Sequence, residues 1–230
     1  MTNKVIVVVG SSRGIGRELV LQFAQEKSNT VIALSRNIDA MDLAFKAENI
    51  HFGYIDLTSK KLHEEMDAVL NAFPKIDVVI NNAGRLVNKA FLELTRDDID
   101  ACYQTNAIGV MHATQYVVPR MLENGGHIVN ISTIGAFQGS VKFPGLSAYS
   151  TSKAGITSFT ELFAEEYKDT KIKMNCLCLG AVQTEMLEEA FPGLKAPVSP
   201  AEMAEYIVDF TFNAPQYFNG KILPVSSTTP

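Results

Sequence analysis

Hydrophobic residues in this chain form short continuous runs, separated by longer segments whose apolar positions repeat every three or four residues. The runs are rich in β-branched residues, as in Val-Ile-Val-Val-Val at positions 5–9. Such runs predict strands that are buried on both faces. The predicted strands are Lys4–Val9, Thr30–Leu34, Ile50–Ile55, Ile76–Asn81, His127–Ser132, Lys171–Leu177 and Lys221–Val225.

The segments between the runs have the apolar spacing of amphipathic helices. Because they alternate with the strands, the pattern predicts an α/β fold with a doubly wound parallel sheet and helices on both faces. No linker rich in Pro, Gly or Ser interrupts the chain, so residues 1–230 are expected to form one domain. Helices are predicted near 15–23, over 62–70, from about Thr95 to Leu122, from Tyr149 to Tyr167 and from near Ser199.

Composition and charge exclude several classes of function. The 230 residues are 47% hydrophobic and 20% charged, and the net charge is −5. A mildly acidic chain without a basic cluster is not expected to bind nucleic acid or an anionic membrane. The first apolar run is too short for a signal peptide or a membrane span, so a cytoplasmic protein is expected.

Cysteine and histidine spacing does not suggest a disulfide framework or a metal site. Cys176 and Cys178 lie two apart in an apolar run, so both are expected to pack on one side of a strand. No metal site is predicted, and the histidines are expected at the surface or at the edge of the core. They are His51, His63, His112 and His127.

A glycine-rich turn follows the first strand and precedes a helix. Glycines at such a turn allow a tight bend and a close approach of the backbone to a pyrophosphate, while the helix N-terminus offers free N–H groups. The turn therefore predicts a dinucleotide site, although a glycine-rich connection without a ligand is the alternative. The predicted contacts are Gly10, Ser12, Arg13, Gly14, Ile15 and Gly16.

The end of the second strand indicates which dinucleotide is preferred. An NAD-binding unit places an acidic residue there to accept a hydrogen bond from the ribose, whereas this chain has Ser35-Arg36. Arg36 is able to pair with a 2′-phosphate, and Arg13 is expected to approach the same phosphate from the other side. NADP(H) is therefore favoured over NAD(H), unless both arginines are simply solvated surface residues.

Tyr149 and Lys153 are four residues apart on a predicted helix, so they share one face. A phenol titrates near 10, and a neighbouring ammonium is expected to lower that pKa. Tyr149 is then a candidate general acid and base. Polar residues end two neighbouring strands at Ser132 and at Asn81-Asn82, and Asn106 is expected to distort the helix that contains it.

Together these residues resemble the short-chain dehydrogenase/reductases of the compact single-domain type, from Lys4 to about Val225. The resemblance implies a seven-stranded sheet in the order 3-2-1-4-5-6-7 and a homodimer or homotetramer formed through the two long helices. It also implies that Asp56 and Leu57 contact the adenine, and that Asn82, Ala83 and Gly84 line the rim. The implied catalytic residues are Asn106, Ser132, Tyr149 and Lys153, and the implied nicotinamide contacts are Tyr149, Lys153, Gly180, Val182 and Thr184.

The resemblance assigns a role to each catalytic residue. Lys153 would bind the nicotinamide ribose, Asn106 would hold a water, and Ser132 would orient the substrate carbonyl. The sequence departs from the family pattern at Leu179, where a proline is usual, and in a longer stretch between Ser132 and Tyr149 that is expected to form part of the substrate wall.

Residues 185–200 are expected to cover the nicotinamide as a lid, and their apolar side chains suggest a small or apolar carbonyl or alcohol substrate. Alternatively, these side chains only pack on the sheet. The predicted activity is NADP(H)-dependent hydride transfer. Two alternatives are a catalytically silent NADP(H) sensor, which would need no proton relay, and an epimerase of a related family with a further C-terminal domain.

Overall fold

The computed structural model describes residues 3–227 and contains one seven-stranded parallel sheet. The strand order is β3-β2-β1-β4-β5-β6-β7, so the predicted fold class and strand order are confirmed. Each pair of neighbouring strands is parallel, from β2 against β3 to β6 against β7. The strands are β1 Val5–Val9, β2 Thr30–Ser35, β3 Ile50–Tyr54, β4 Val78–Asn81, β5 Gly126–Thr133, β6 Ile172–Leu179 and β7 Ile222–Val225.

Helices cover both faces of the sheet, as the doubly wound pattern predicted. One face buries Leu19, Met41 and Ile207 from α1, α2 and α8, and the other buries Met66 and Ile156 from α3 and α6. The helices are α1 Gly14–Phe23, α2 Ile38–Ala44, α3 Leu62–Leu70, α4 Arg96–Tyr103, α5 Gly109–Val117, α6 Ser147–Glu166, α7 Glu185–Ala190 and α8 Pro200–Asn213.

The long helix predicted from Thr95 to Leu122 is interrupted, as the position of Asn106 indicated. A π-helical turn over Gln104–Ile108 separates α4 from α5, and a 3₁₀ turn follows α5. Asn106 lies within the π turn and is fully buried. The wider turn places this asparagine beside the strand ends, where the functional candidates lie.

One helix was missed and one expectation about a side chain was wrong. The short helix α2 was not predicted, because only Met41 of its seven residues is buried and the apolar period is too short to detect. His127 was expected at the surface or at the edge of the core, but it is 3% exposed. Its Nδ1 bonds the Thr211 carbonyl and its Nε2 bonds the Asn175 amide, and burial lowers its pKa to about 4.

Cys176 and Cys178 are fully buried on one side of β6, as their spacing predicted. Among residues 3–227, no helix combines the length and the apolar character that crossing a membrane requires.

Candidate active site

The carboxyl ends of the strands open onto a cleft of about 760 Å³, which is lined by residues from β1, β2, β5 and the loops that follow β3, β4 and β6. Clefts of this size typically hold small molecules or cofactors, and ligands of parallel α/β sheets bind at this edge. Nearly all the residues predicted for the site line this cleft. They are Gly10, Ser12, Arg13, Gly14, Ile15, Arg36, Asp56, Leu57, Asn82, Ala83, Gly84, Ser132, Tyr149, Lys153, Gly180, Val182 and Thr184.

The glycine turn between β1 and α1 is held tightly against its neighbours. Gly10 has a φ of +86°, and a Cβ atom on Gly16 would lie 2.0 Å from the Gly10 carbonyl oxygen. That oxygen also accepts a hydrogen bond of 2.7 Å from the Asn82 side chain. Gly16 does not line the cleft, but its missing side chain is what allows the turn to close.

Helix α1 begins at this turn, and its first residues, Gly14 and Ile15, line the cleft. Its N-cap residue, Arg13, makes no side-chain capping bond, and the first turn of the helix carries no acidic residue. An uncapped N-terminus with a partial positive charge suits an anion such as a pyrophosphate. The turn and the helix start therefore fit a dinucleotide phosphate.

The two arginines predicted to bind a 2′-phosphate differ in their ion pairing. Arg36 follows β2, is exposed, lines the cleft and forms no ion pair with any residue from 3 to 227. Arg13 was expected to approach the phosphate, and in this structure its guanidinium forms a bidentate ion pair with Glu189 of α7. This carboxylate was not recognised in the sequence, because 176 positions separate it from Arg13.

Tyr149 and Lys153 of α6 both line the cleft, and burial shifts their pKa values in opposite directions. Burial raises the pKa of Tyr149 to about 12, where a lowered pKa was expected, because the apolar surroundings disfavour a phenolate. Burial lowers the pKa of Lys153 to about 8. The Lys153 ammonium donates to the carbonyl oxygens of Ala83 at 3.1 Å and Ile131 at 2.8 Å, which fixes it at the ends of β4 and β5.

The hydroxyl that contacts Tyr149 belongs to Thr133 rather than to Ser132. The Ser132 Oγ donates to the backbone carbonyl of Lys153 at 3.1 Å, and this residue is 4% exposed. The Thr133 side chain is close enough to Tyr149 to lower the pKa of the phenol, which partly opposes the effect of burial. Thr133 also lines the cleft, although it was not among the predicted site residues.

Asn106 connects the loop after β4 to helix α6. Its Oδ1 accepts from the Arg85 amide at 2.7 Å, and its Nδ2 donates to the Arg85 carbonyl and to the Ser152 hydroxyl, each at 2.9 Å. Asn106 does not line the cleft. Its side chain is therefore occupied by protein groups next to Lys153.

Residues 185–200 and the loop before α6 form the apolar side of the cleft. The segment 185–200 is fastened at its base, where Val182 bridges to Val198 and the Gln183 amide donates to the Val198 carbonyl at 2.8 Å. Its side chains reach the cleft, so the alternative that they only pack on the sheet is wrong. The apolar lining residues are Leu86, Phe143, Leu146, Met186, Leu187, Phe191, Leu194 and Pro197.

Comparisons with known proteins identify relatives along almost the whole chain. The family described as short chain dehydrogenase matches residues 4–195. A 3-oxoacyl-(acyl-carrier-protein) reductase of Thermotoga maritima is 28% identical over 242 aligned positions, covering 98% of this chain and 97% of the relative.

Two solved structures have the same fold. A variant of the actinorhodin polyketide ketoreductase with NADPH is 26% identical, with a TM-score of 0.86 over 98% of this chain and 97% of that one. A 3-ketoacyl-(acyl-carrier-protein) reductase of Brucella melitensis with NADH is 21% identical and shows the shared fold alone, with a TM-score of 0.87 over 99% and 98%. This chain therefore belongs to the short chain dehydrogenase family of oxidoreductases.

Proposed function

We propose that the protein is an NADP(H)-dependent oxidoreductase that interconverts a small or apolar carbonyl compound and its alcohol, with Tyr149 as the general acid and base. The observation that carries this proposal is the position of Tyr149 and Lys153 in the cleft that also receives the glycine turn. Similarity to a 3-oxoacyl-(acyl-carrier-protein) reductase and to a polyketide ketoreductase supports the same reaction class.

The cofactor would lie along the cleft from the end of β2 to the end of β6. Residues 10–16 and the start of α1 would hold the pyrophosphate, and Arg36 and Arg13 the 2′-phosphate. When bound, the dinucleotide supplies a hydride for reduction or accepts one for oxidation. The remaining contacts would be Asp56 and Leu57 at the adenine, Asn82, Ala83 and Gly84 at the rim, Lys153 at the ribose, and Gly180, Val182 and Thr184 at the nicotinamide end.

Tyr149 is well suited to donate a proton during reduction. Because burial raises its pKa to about 12, the phenol stays protonated at neutral pH. It would donate the hydroxyl proton from its Oη to the carbonyl oxygen as charge develops there. The Lys153 ammonium on the same helix face would stabilise the phenolate that this transfer leaves behind.

Thr133 would orient the substrate oxygen, in place of Ser132. The Thr133 side chain lies close enough to Tyr149 to lower the pKa of the phenol, whereas the Ser132 hydroxyl donates to a backbone carbonyl. Asn106 would act as a positioning residue, because it ties the Arg85 backbone to Ser152, the neighbour of Lys153. A water held near Asn106 stays a prediction of the family resemblance.

The substrate end of the cleft favours an apolar carbonyl compound. Phe143, Leu146, Leu187 and Phe191 line it, and apolar walls exclude water from the reacting groups. Residues 185–200 would form the lid over this end. The single domain spanning 1–230, the homodimer or homotetramer and the cytoplasmic location stay predictions.

The proposal is tested by following NADPH and NADH consumption against a panel of apolar ketones and aldehydes. We expect the wild type to consume NADPH faster than NADH with at least one of these compounds. Replacing Arg36 by aspartate (Arg36→Asp) removes the exposed cation beside the 2′-phosphate and adds a repulsive charge, so it should reverse the preference.

An unchanged preference for NADPH in Arg36→Asp would contradict the cofactor assignment. Tight binding of NADPH without consumption across the panel would instead favour the silent sensor. Lys60→Asp, which changes the same charge at an exposed position outside the cleft, is the control for a general effect of charge.

Carbonyl reduction should decline as the pH rises through about 8. Burial lowers the pKa of Lys153 to about 8, so its ammonium is present below that pH and lost above it. Tyr149, with its pKa raised to about 12, stays protonated across this range and does not limit the reaction. The measurement is kcat/KM with NADPH as the varied substrate, which reports the groups of the free enzyme. A flat profile to about pH 10, close to the ordinary lysine value, would contradict the assignment.

A further inference from the structure

A carboxylate on the lid occupies an arginine of the glycine turn. The Arg13 Nη2 donates to the Glu189 Oε2 at 3.1 Å, and the Nη1 donates to the second carboxylate oxygen. Arg13 belongs to the turn before α1, whereas Glu189 belongs to α7. The pair therefore joins the segment proposed to hold the cofactor phosphates to the lid.

The arrangement places Arg13 close to the end of β2, where a 2′-phosphate would lie. Val9 pairs with Leu34 in the sheet, and the Gly10 amide donates to the Leu34 carbonyl at 2.8 Å. The turn is further fixed by the Ser11 hydroxyl, which donates to the same carbonyl at 3.1 Å. Arg13 and Arg36 thus follow adjacent strands and line the same cleft.

The same two N–H groups of a guanidinium cannot form bidentate pairs with two anions at once. A carboxylate and a phosphate both match the fork of Arg13, so Glu189 and a 2′-phosphate are chemically equivalent partners for it. The pKa of Arg13 is raised and that of Glu189 is lowered by their mutual hydrogen bonds, which agrees with a charged pair.

The position of Glu189 is fixed by the structure of the lid. The Thr184 side chain caps α7 by accepting from the Leu187 amide at 3.2 Å. At the other end of α7, the Asn88 side chain donates to the Ala190 carbonyl at 2.8 Å. Both ends of this short helix are therefore fastened, so the carboxylate of Glu189 is held opposite Arg13.

We propose that Glu189 is a specificity-determining residue that weakens binding of NADPH relative to NADH by competing with the 2′-phosphate for Arg13. The inference rests on the proposed function, since it requires the dinucleotide to lie along this cleft. The pair is easily exchanged, because the side chains of Arg13 and Glu189 are 48% and 62% exposed and such pairs contribute little. NADH lacks the 2′-phosphate and leaves the pair intact.

The test is equilibrium titration of NADPH and NADH into the purified protein, followed by the fluorescence of the reduced nicotinamide. Glu189→Gln should lower the Kd for NADPH about two- to fivefold, the range expected from releasing an exposed ion pair, and leave the Kd for NADH unchanged. In an Arg13→Ala background, Glu189→Gln should leave the Kd for NADPH unchanged, because the guanidinium for which Glu189 and the 2′-phosphate compete is absent.

Glu188→Gln is the matched control, because it removes the same charge one residue earlier on α7. The Glu188 carboxylate accepts from the Gly193 amide, a bond that glutamine is able to keep, and it forms no ion pair with the described residues. This control should leave both Kd values unchanged.

An unchanged or weaker affinity of Glu189→Gln for NADPH would overturn the competition, with the proposed function intact. Equal tightening of NADPH and NADH would also overturn it, since the effect would then not involve the 2′-phosphate. If the wild type bound neither dinucleotide, the proposed function would fail as well, so the two failures are distinguishable.

Discussion

Replacing Tyr149 by phenylalanine should lower the rate of carbonyl reduction about 10²–10⁴-fold, the range for loss of a general acid. The substitution removes only the hydroxyl, so NADPH binding and the fold should be nearly unchanged. We would measure the single-turnover rate with saturating NADPH and the carbonyl compound of the panel that is reduced fastest. The Kd for NADPH would be measured in parallel. The expected signature is a lost rate with retained binding.

The physical reason is the state of the phenol in this structure. Burial raises the pKa of Tyr149 to about 12, so the group is protonated wherever the enzyme is assayed. Without that proton, the carbonyl oxygen would have to take one from water in an apolar cleft. Two of the three N–H groups of the Lys153 ammonium donate to the carbonyls of Ala83 and Ile131, so we expect Lys153 to support Tyr149 rather than to replace it as the acid.

Tyr116 supplies a matched control for this experiment. Its pKa is also raised to about 12 by burial, but its hydroxyl donates to Asp67 at 2.8 Å on α3, outside the cleft. Tyr116→Phe should therefore leave the reduction rate unchanged. Equal losses in the two variants would point to a general effect on the fold, and full activity in Tyr149→Phe would remove the proposed acid.

Most of the fold could be predicted from the apolar runs, because strands buried on both faces of a parallel sheet are continuous hydrophobic segments in the sequence. The seven predicted strands correspond to the seven strands of the sheet. No predicted boundary differs from the observed one by more than two positions. Helix α2 lacked such a signal, although its N-cap, Asn37, accepts from the Ala40 amide and was a detectable start. A short helix such as α2 is therefore the kind of element that periodicity misses.

The surroundings of His127 and Arg13 were not predicted, because their partners are far away in the sequence. His127 is buried because Thr211 and Asn175, 84 and 48 positions away, satisfy its ring nitrogens. Glu189 meets Arg13 across 176 positions. Neither pairing follows from spacing, because the sheet order and the path of residues 185–200 bring these side chains together only in the folded chain.

The sequence alone also could not decide whether Ser132 or Thr133 faces Tyr149. Successive side chains of a strand point to opposite faces, so the two hydroxyls at the end of β5 have different surroundings although they are adjacent in sequence. The sequence located the strand end but not which of its last residues turns toward Tyr149. Register against β6, where Ser132 lies beside Cys178, supplies that information.

Replacing Thr133 by valine should lower carbonyl reduction about 10²–10³-fold, as when a single donor to a developing oxyanion is removed. Valine keeps the branched shape of threonine and removes only its hydroxyl. Ser132→Ala is the matched control, and we expect it to retain most of the rate, because the Ser132 hydroxyl is directed at the Lys153 carbonyl.

The two variants should also differ in stability, which separates orientation of substrate from support of the fold. Ser132→Ala removes a buried hydrogen bond to a carbonyl that keeps its partner within α6, so it should lower the free energy of unfolding by about 0.5–1.5 kcal/mol. Thr133→Val loses a weak bond from the Gly135 amide, 3.4 Å long, so its loss of rate should exceed any change in stability. The reverse pattern, with Ser132→Ala inactive and Thr133→Val active, would return the role to Ser132 and would mean that its hydroxyl leaves the Lys153 carbonyl when substrate binds.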